Sequence, residues 1–158
     1  MINVALFGFG RIGQMHAENL CKNKELKLLY VYEKLNKLAK KAKNLYNCKI
    51  EKDYNKIFKD KKVDIIFISS PTNTHIKFIE EGIKEKKTIF CEKPLDLDIN
   101  KMINTLKKVK KFKPKIQLGF NRRYDPGHYS IKKELDRNKI GKLEKIIITS
   151  RDPAPPSI

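Results

Sequence analysis

Three glycines in the stretch GFGRIG have the spacing G-x-G-x-x-G near the start of the chain. In a strand–turn–helix setting, Gly8 allows a tight turn, Gly10 lets the backbone approach a pyrophosphate, and Gly13 lets the helix pack closely on the strand. The first N–H groups of such a helix attract an anion. Gly10, Arg11 and Ile12 are therefore predicted to hold the pyrophosphate of a dinucleotide.

An acidic residue follows this turn at the distance that a dinucleotide site requires. Glu33 ends the apolar run LLYVYE and lies 20 residues beyond Gly13. A carboxylate there can accept hydrogen bonds from the ribose hydroxyls of an adenosine, and it repels a 2′-phosphate. The sequence therefore predicts NAD in preference to NADP, although the neighbouring Lys34 leaves NADP open. The alternative is that Glu33 is an ordinary surface charge.

One lysine among 31 has an unusual setting. Lys93 stands between Glu92 and Pro94 in TIFCEKPLDLD, directly after an apolar run. In an open parallel sheet, ligands lie outside the carboxyl ends of the strands. Glu92 and Lys93 are thus predicted to reach the edge where a nicotinamide ring and its substrate would meet. The alternative is that Lys93 is an ordinary lysine at the end of a strand.

The elements that position these residues follow from hydrophobic spacing. Apolar runs rich in β-branched residues predict strands at residues 2–7, 26–32, 63–68, 88–91, 115–120 and 143–149. Stretches with helical spacing separate them, and Asp96 or Asp98 could cap the helix that begins near Ile99. Strands that alternate with helices form βαβ units. The predicted fold class is therefore α/β, a Rossmann-type doubly wound parallel sheet.

A polar segment, SSPTNTH, follows the predicted central strand. It begins a helix at the ligand-binding edge of the sheet. Four of its side chains are therefore predicted to lie along the cofactor cleft, with His75 expected to line the cleft and not to act as a base. These four are Ser70, Thr72, Asn73 and His75.

Composition limits the other classes of function. The net charge of +18 suggests nucleic acid, but 31 of the 36 basic residues are lysines spread through every segment. Because readers of nucleic acid rely on arginine, no specific nucleic-acid site is predicted. No stretch approaches the length of a membrane span. The three cysteines lack metal-ligand spacing, so we expect no metal and a reducing, cytoplasmic location.

Longer stretches resemble one known family. They are GFGRIGQMHAENL, SSPTNTHIKFIEEGI, CEKPLDLD and LGFNRRYDPGHYSIKKELDRNKIGKL. Together they resemble the Gfo/Idh/MocA family of NAD(P)-dependent sugar oxidoreductases, and the ending TSRDPAPP is most similar to its inositol 2-dehydrogenases. The resemblance covers essentially the whole chain, and the E-K-P run is its most specific part.

The resemblance implies roles for individual residues. It implies that Lys93 is the catalytic lysine near the reacting hydroxyl, which agrees with lysine chemistry: burial beside a cationic nicotinamide disfavours the ammonium form. It places Asn121 and Arg122 at the substrate pocket, although both could instead cap the sixth strand. It also makes Asp152 a substrate contact. The implied substrate is a polyol or sugar, and the implied reaction is hydride transfer to NAD.

The same resemblance implies that family members are about twice as long as this chain. The predicted domains are a dinucleotide-binding domain over residues 1–120 and, over 121–158, the beginning of a second α+β domain. An unpaired strand around Ile146 and Ile148 could pair with another copy of the chain. Two further alternatives are a nucleotide-binding or interaction module without turnover and a basic polyanion binder.

Overall fold

The structure is a computed structural model that describes residues 1–151. Strands and helices alternate along most of this length. The strands are β1 (Ile2–Phe7), β2 (Leu26–Tyr32), β3 (Lys49–Ile50), β4 (Ile65–Ile68), β5 (Thr88–Cys91) and β6 (Ile116–Leu118). The α-helices are α1 (Arg11–Lys22), α2 (Asn36–Tyr46), α3 (Tyr54–Lys59), α4 (His75–Lys84), α5 (Ile99–Lys110) and α6 (Pro126–Asp136), with 3₁₀ turns at Thr72–Thr74 and Asn121–Tyr124.

The six strands form one parallel sheet in the order β3-β2-β1-β4-β5-β6. The strand order reverses direction between β1 and β4, which pair from Val4 with Ile65 to Phe7 with Ile68. This is the order of a classic Rossmann fold, and its ligand site lies where the order reverses. The predicted doubly wound α/β fold is confirmed.

Helices cover both faces of the sheet because side chains alternate along each strand. Ala5 and Phe7 of β1 point into one apolar cluster, which also contains Phe78 of α4. Val4 and Leu6 point the opposite way, into a second cluster formed with residues of α1 and α2. All four of these β1 side chains are fully buried. The central strands are therefore buried on both faces, as their unbroken apolar sequences predict.

The two acidic residues before α5, Asp96 and Asp98, have different structural roles. Asp98 is the N-cap, and its carboxylate accepts hydrogen bonds from the N–H groups of Asn100 and Lys101. Asp96 instead stabilises the preceding loop: it accepts the N–H groups of Leu97 and Asp98, and Lys101 Nζ lies 2.7 Å from its Oδ2. The sequence left both residues open as caps, and the structure assigns the cap to Asp98.

The strand predictions fail at two places. The two-residue strand β3 has no counterpart among the predicted strands, because so short an edge strand leaves no periodic signal. The strand predicted at residues 143–149 is absent: this segment is irregular, and Ile147 and Ile148 are 77% and 81% exposed. A β-branched run becomes a strand only when a neighbour completes its hydrogen bonds. Pairing with another copy of the chain through this segment stays a prediction.

The chain divides into two compact units, Met1–Gly119 and Phe120–Ile158. The first contains the whole sheet. The second, as far as residue 151, contains the 3₁₀ turn Asn121–Tyr124 and α6, neither of which has a buried residue. Whether these units are the predicted domains stays a prediction. Across residues 1–151, no helix combines the length and the apolar character needed to cross a membrane.

Candidate dinucleotide and active site

A cleft of about 690 Å³ opens at the carboxyl ends of β1, β2 and β4. Residues of the glycine turn form one wall. The opposite wall comes from Ser69, Ser70 and Asn73, which follow β4, and Glu33 lies where β2 ends. The predicted residues that the structure brings together on this cleft are Gly8, Gly10, Arg11, Ile12, Glu33, Ser70 and Asn73.

The three glycines are required for three different reasons. Gly8 has φ +91°, and a Cβ there would lie 2.7 Å from the Ser69 carbonyl oxygen. Gly10 lines the cleft, and a Cβ on it would meet nothing within 4 Å. A Cβ on Gly13 would lie 2.2 Å from the Gly8 carbonyl oxygen, so no side chain fits between α1 and the turn. Gly10 is thus the position that keeps the cleft open.

The first turn of α1 supplies hydrogen-bond donors to the cleft. Gly10 is its N-cap, and no side chain caps the helix. The first N–H groups of a helix have no partner within the helix. Arg11 and Ile12 present theirs beside the cleft, where the helix dipole also favours an anion. The turn can therefore bind a phosphate group through backbone atoms alone.

The Glu33 carboxylate is held from two sides. Its Oε2 accepts the N–H of Phe9 at 2.8 Å, and its Oε1 accepts the N–H of Leu35 at 2.9 Å. Lys52 also donates from Nζ to the backbone carbonyl of Glu33 at 2.7 Å. Each carboxylate oxygen can still accept a further hydrogen bond. The carboxylate is thus oriented to accept hydrogen bonds from two ribose hydroxyls. The contact from Lys52 was not indicated by any pattern in the sequence.

Small hydroxyl residues hold the loop after β4 against the glycine turn. Ser69 Oγ donates to the Gly8 carbonyl at 3.0 Å, and Ser70 Oγ lies 2.6 Å from Thr74 Oγ1. Thr74 Oγ1 in turn donates to the Pro71 carbonyl at 2.6 Å. Sequence reasoning missed Ser69 and Thr74, although their place after a central strand was a usable signal. Thr72, which was predicted to line the cleft, begins the 3₁₀ turn and is not part of the wall.

His75 does not line the cleft as predicted. Its side chain is buried, with 1% exposure, because the first residue of α4 faces the protein interior. Its Nε2 lies 2.8 Å from the Ser70 carbonyl oxygen, and its Nδ1 lies 2.8 Å from the Pro94 carbonyl oxygen. The ring therefore connects the loop after β4 with the loop after β5.

Glu92 and Lys93 occupy the carboxyl end of β5. The Glu92 N–H donates to the Ile68 carbonyl at 2.8 Å, which continues the β4–β5 ladder. Glu92 Oε1 lies 2.7 Å from His16 Nε2, and Glu92 Oε2 accepts the Lys93 N–H at 3.2 Å. The carboxylate thus contacts the protein itself, and neither residue is part of the cleft wall.

Lys93 is exposed in the structure, and its burial beside a bound nicotinamide stays a prediction. It follows the last residue of β5, and the next residue, Pro94, is exposed as well. The Lys93–Pro94 peptide bond is cis. Within residues 1–119 the lysine side chain is therefore outside the packed core, and burial among these residues does not desolvate its amine.

The adjacent Cys91 is not a nucleophile. Its side chain is fully buried at the end of β5. Burial raises the pKa of the Cys91 thiol to about 12, so the thiol stays protonated and unreactive at neutral pH.

The predicted substrate residues belong to the second unit. Asn121 and Arg122 are exposed residues of the 3₁₀ turn Asn121–Tyr124. Asp152 lies outside the described residues. The roles of all three in substrate binding stay predictions.

Comparison with known proteins identifies the family. The sequence model of GFO_IDH_MocA, described as an oxidoreductase family with an NAD-binding Rossmann fold, matches residues 2–120. The chain is 36% identical over 157 residues to an inositol 2-dehydrogenase of Rhizobium meliloti, a match that covers 99% of this chain and 47% of that protein. A myo-inositol 2-dehydrogenase of Thermotoga maritima is also 36% identical, over 159 residues, with 99% and 47% covered.

Solved structures agree with this assignment. A scyllo-inositol dehydrogenase from Lactobacillus casei with bound NAD(H) and scyllo-inositol superimposes with a TM-score of 0.84 at 30% identity. The match covers 89% of this chain and 42% of that one. The chain thus spans about half the length of the curated relatives that it matches. The predicted NAD-binding Rossmann fold is confirmed, and the chain belongs to the Gfo/Idh/MocA family of oxidoreductases.

Proposed function

We propose that this chain is the cofactor-binding part of an NAD-dependent oxidoreductase that removes a hydride from a hydroxyl-bearing carbon of an inositol-like polyol. The observation that carries the proposal is the pairing of an open glycine turn with the oriented Glu33 carboxylate on one cleft. Relatives named inositol dehydrogenases over nearly the whole chain support the substrate class.

The residues of the cleft fit a dinucleotide. The N–H groups at the start of α1 would bind the pyrophosphate, and the absence of a side chain on Gly10 leaves room for it. Glu33 would accept the ribose hydroxyls, and its negative charge would repel the 2′-phosphate of NADP. Ser70 and Asn73 would line the path of the cofactor along the loop after β4.

Lys93 would act as the base at the nicotinamide end of the cofactor. Bound NAD supplies an oxidised nicotinamide ring that accepts a hydride. Lys93 would accept the proton of the substrate hydroxyl as the carbon–hydrogen bond breaks, which leaves a ketone. Asn121, Arg122 and Asp152 would bind the other hydroxyls of the polyol. The free thiols of Cys21, Cys48 and Cys91 support a reducing, cytoplasmic location for this reaction.

The exposure of Lys93 favours a second candidate function, a nucleotide-binding module without turnover. The two functions make different demands on the same residues. Both need NAD to bind at Glu33, whereas only the enzyme needs Lys93 close to a polyol. Holding two reactants in register can contribute roughly 7–11 kcal/mol to lowering a barrier. A lysine on an exposed loop does not supply that by itself.

The test is calorimetry with NAD and NADP, followed by a turnover assay on the same sample. NAD is expected to bind more tightly than NADP, and a tighter complex with NADP would overturn the role of Glu33. Myo-inositol and NAD are then incubated with the chain while absorbance of the reduced cofactor is followed. Turnover that disappears in Lys93→Ala supports the enzyme. NAD binding with no turnover supports the nucleotide-binding module.

A further inference from the structure

Two histidines contact the residues on either side of Lys93. His16 is on α1, the helix that begins at the glycine turn, and its ring contacts the Glu92 carboxylate at 2.7 Å. His75 begins α4, and its Nδ1 lies 2.8 Å from the carbonyl oxygen of Pro94. Lys93 itself is exposed, but its two neighbours in the chain are both held.

The Glu92 carboxylate is confined on several sides. The His16 ring packs on Phe67 and Phe90, with centroids 4.6 Å and 5.7 Å away, and these two rings stack at 4.1 Å. A Cβ on Gly119 would lie 3.2 Å from Glu92 Oε1, so a larger residue there would press on the carboxylate. The side chains of His16 and Glu92 are 16% and 19% exposed, which protects their contact from water.

On the other side of Lys93, the Pro94 carbonyl is linked to the wall of the cleft. The fully buried His75 ring contacts this carbonyl through one nitrogen and the Ser70 carbonyl through the other. Ser70 itself lines the cleft. The loop that carries Lys93 is thus connected to both walls of the cleft, through α1 by His16 and through the loop after β4 by His75.

From these contacts we propose that His16 and His75 are positioning residues: they hold the Glu92 side chain and the Pro94 backbone on either side of Lys93, and so set its amine relative to the cofactor in the cleft. The inference rests on the proposed function, because it assumes that NAD bound in the cleft reaches the Lys93 loop. Neither histidine needs to touch the cofactor or the substrate, since each acts through a neighbour of Lys93.

The experiment measures the position of Lys93 without relying on turnover. The folded chain is labelled with an amine-reactive ester, with and without saturating NAD, and peptide mass spectrometry gives the labelling rate of Lys93. The exposed Lys24, which lies before β2 at the opposite edge of the sheet, is the internal reference. In the unmodified chain, NAD is expected to slow labelling of Lys93 at least about fivefold, the lower end of ordinary coupling between sites.

His16→Phe is the informative variant, because it keeps a ring on Phe67 and Phe90 but removes the nitrogen that contacts Glu92. NAD affinity is expected to stay within about threefold of the parent, less than 1 kcal/mol, while protection of Lys93 is lost. His16→Gln restores an N–H donor and should recover the protection. Glu18→Gln, which removes an exposed ion pair with Lys22 on the same helix, should leave protection unchanged.

The outcomes separate the inference from the proposed function. No NAD binding by the unmodified chain overturns the proposed function, and NAD binding without protection of Lys93 overturns the assignment of Lys93. Full protection in His16→Phe, or its loss without recovery in His16→Gln, overturns the positioning role alone. If His16→Phe does not fold, Glu92→Ala breaks the same contact from the other side and must also lose protection.

Discussion

The variant Gly13→Ala tests whether helix propensity or tertiary packing determines stability at the glycine turn. Gly13 is the third residue of α1, and alanine in a helix is favoured over glycine by about 1 kcal/mol. Helix propensity alone therefore predicts that Gly13→Ala stabilises the protein. The tertiary structure predicts the opposite, because the new Cβ would lie 2.2 Å from the Gly8 carbonyl oxygen.

The clash cannot be relieved by rotating a side chain. The atom in the way belongs to the backbone of Gly8, whose φ of +91° and close contact with Ser69 leave it little freedom. Overpacking of this kind costs about 1–3 kcal/mol, occasionally more. A separation of 2.2 Å is a severe clash, so the upper end of this range, about 3 kcal/mol, applies. After about 1 kcal/mol of helix propensity is subtracted, we expect Gly13→Ala to lower the free energy of unfolding by about 2 kcal/mol. Urea denaturation followed by circular dichroism measures this change.

Gly10→Ala is the matched variant, because a Cβ there meets no atom within 4 Å. Its backbone angles, φ −67° and ψ −167°, are open to alanine. The free energy of unfolding should therefore change by less than about 1 kcal/mol. Affinity for NAD should fall at least about tenfold, or 1.4 kcal/mol, because the methyl group enters the cleft. The reasoning is refuted if Gly13→Ala proves as stable as the parent, or if Gly10→Ala binds NAD normally.

Three further predictions concern individual side chains. Glu33→Ala should weaken the binding of NAD by about 1–3 kcal/mol, the scale of hydrogen bonds to a charged group. It should also reduce the preference for NAD over NADP, and calorimetry measures both affinities. The pKa of Asp96 lies below its ordinary value because Lys101 and two backbone N–H groups donate hydrogen bonds to its carboxylate. These bonds therefore stabilise the folded state above about pH 4, and this stabilisation is lost as the pH falls through the lowered pKa. Unfolding curves should therefore show a smaller acid loss in Lys101→Met, and an identical pH dependence would contradict this. At pH 8 an alkylating reagent should modify the exposed Cys21 in the folded chain but leave Cys91 intact until urea is added, because burial raises the pKa of the Cys91 thiol to about 12.

Features formed within one short segment of the chain, such as strands and turns, could be predicted from the sequence alone. The apolar runs of β1, β2 and β5 predicted these strands with the bounds that the structure shows. The glycine spacing and the distance to Glu33 predicted the cleft, because a strand, a turn and a helix are local structures with local signals. The same reasoning predicted the parallel sheet, since strands that alternate with helices have few other arrangements.

Contacts between distant segments were decided by the tertiary structure alone. His16 and Glu92 are 76 positions apart, and His75 and Pro94 are 19 apart, so no spacing rule could pair them. The strand predicted at residues 143–149 failed for the same reason, because a strand needs a neighbour that its own residues do not specify. Lys93 depends on both the local sequence and the tertiary structure. Its place at the end of β5 followed from the sequence, whereas its exposure and the anchoring of its neighbours depend on how α1, α4 and β5 pack together.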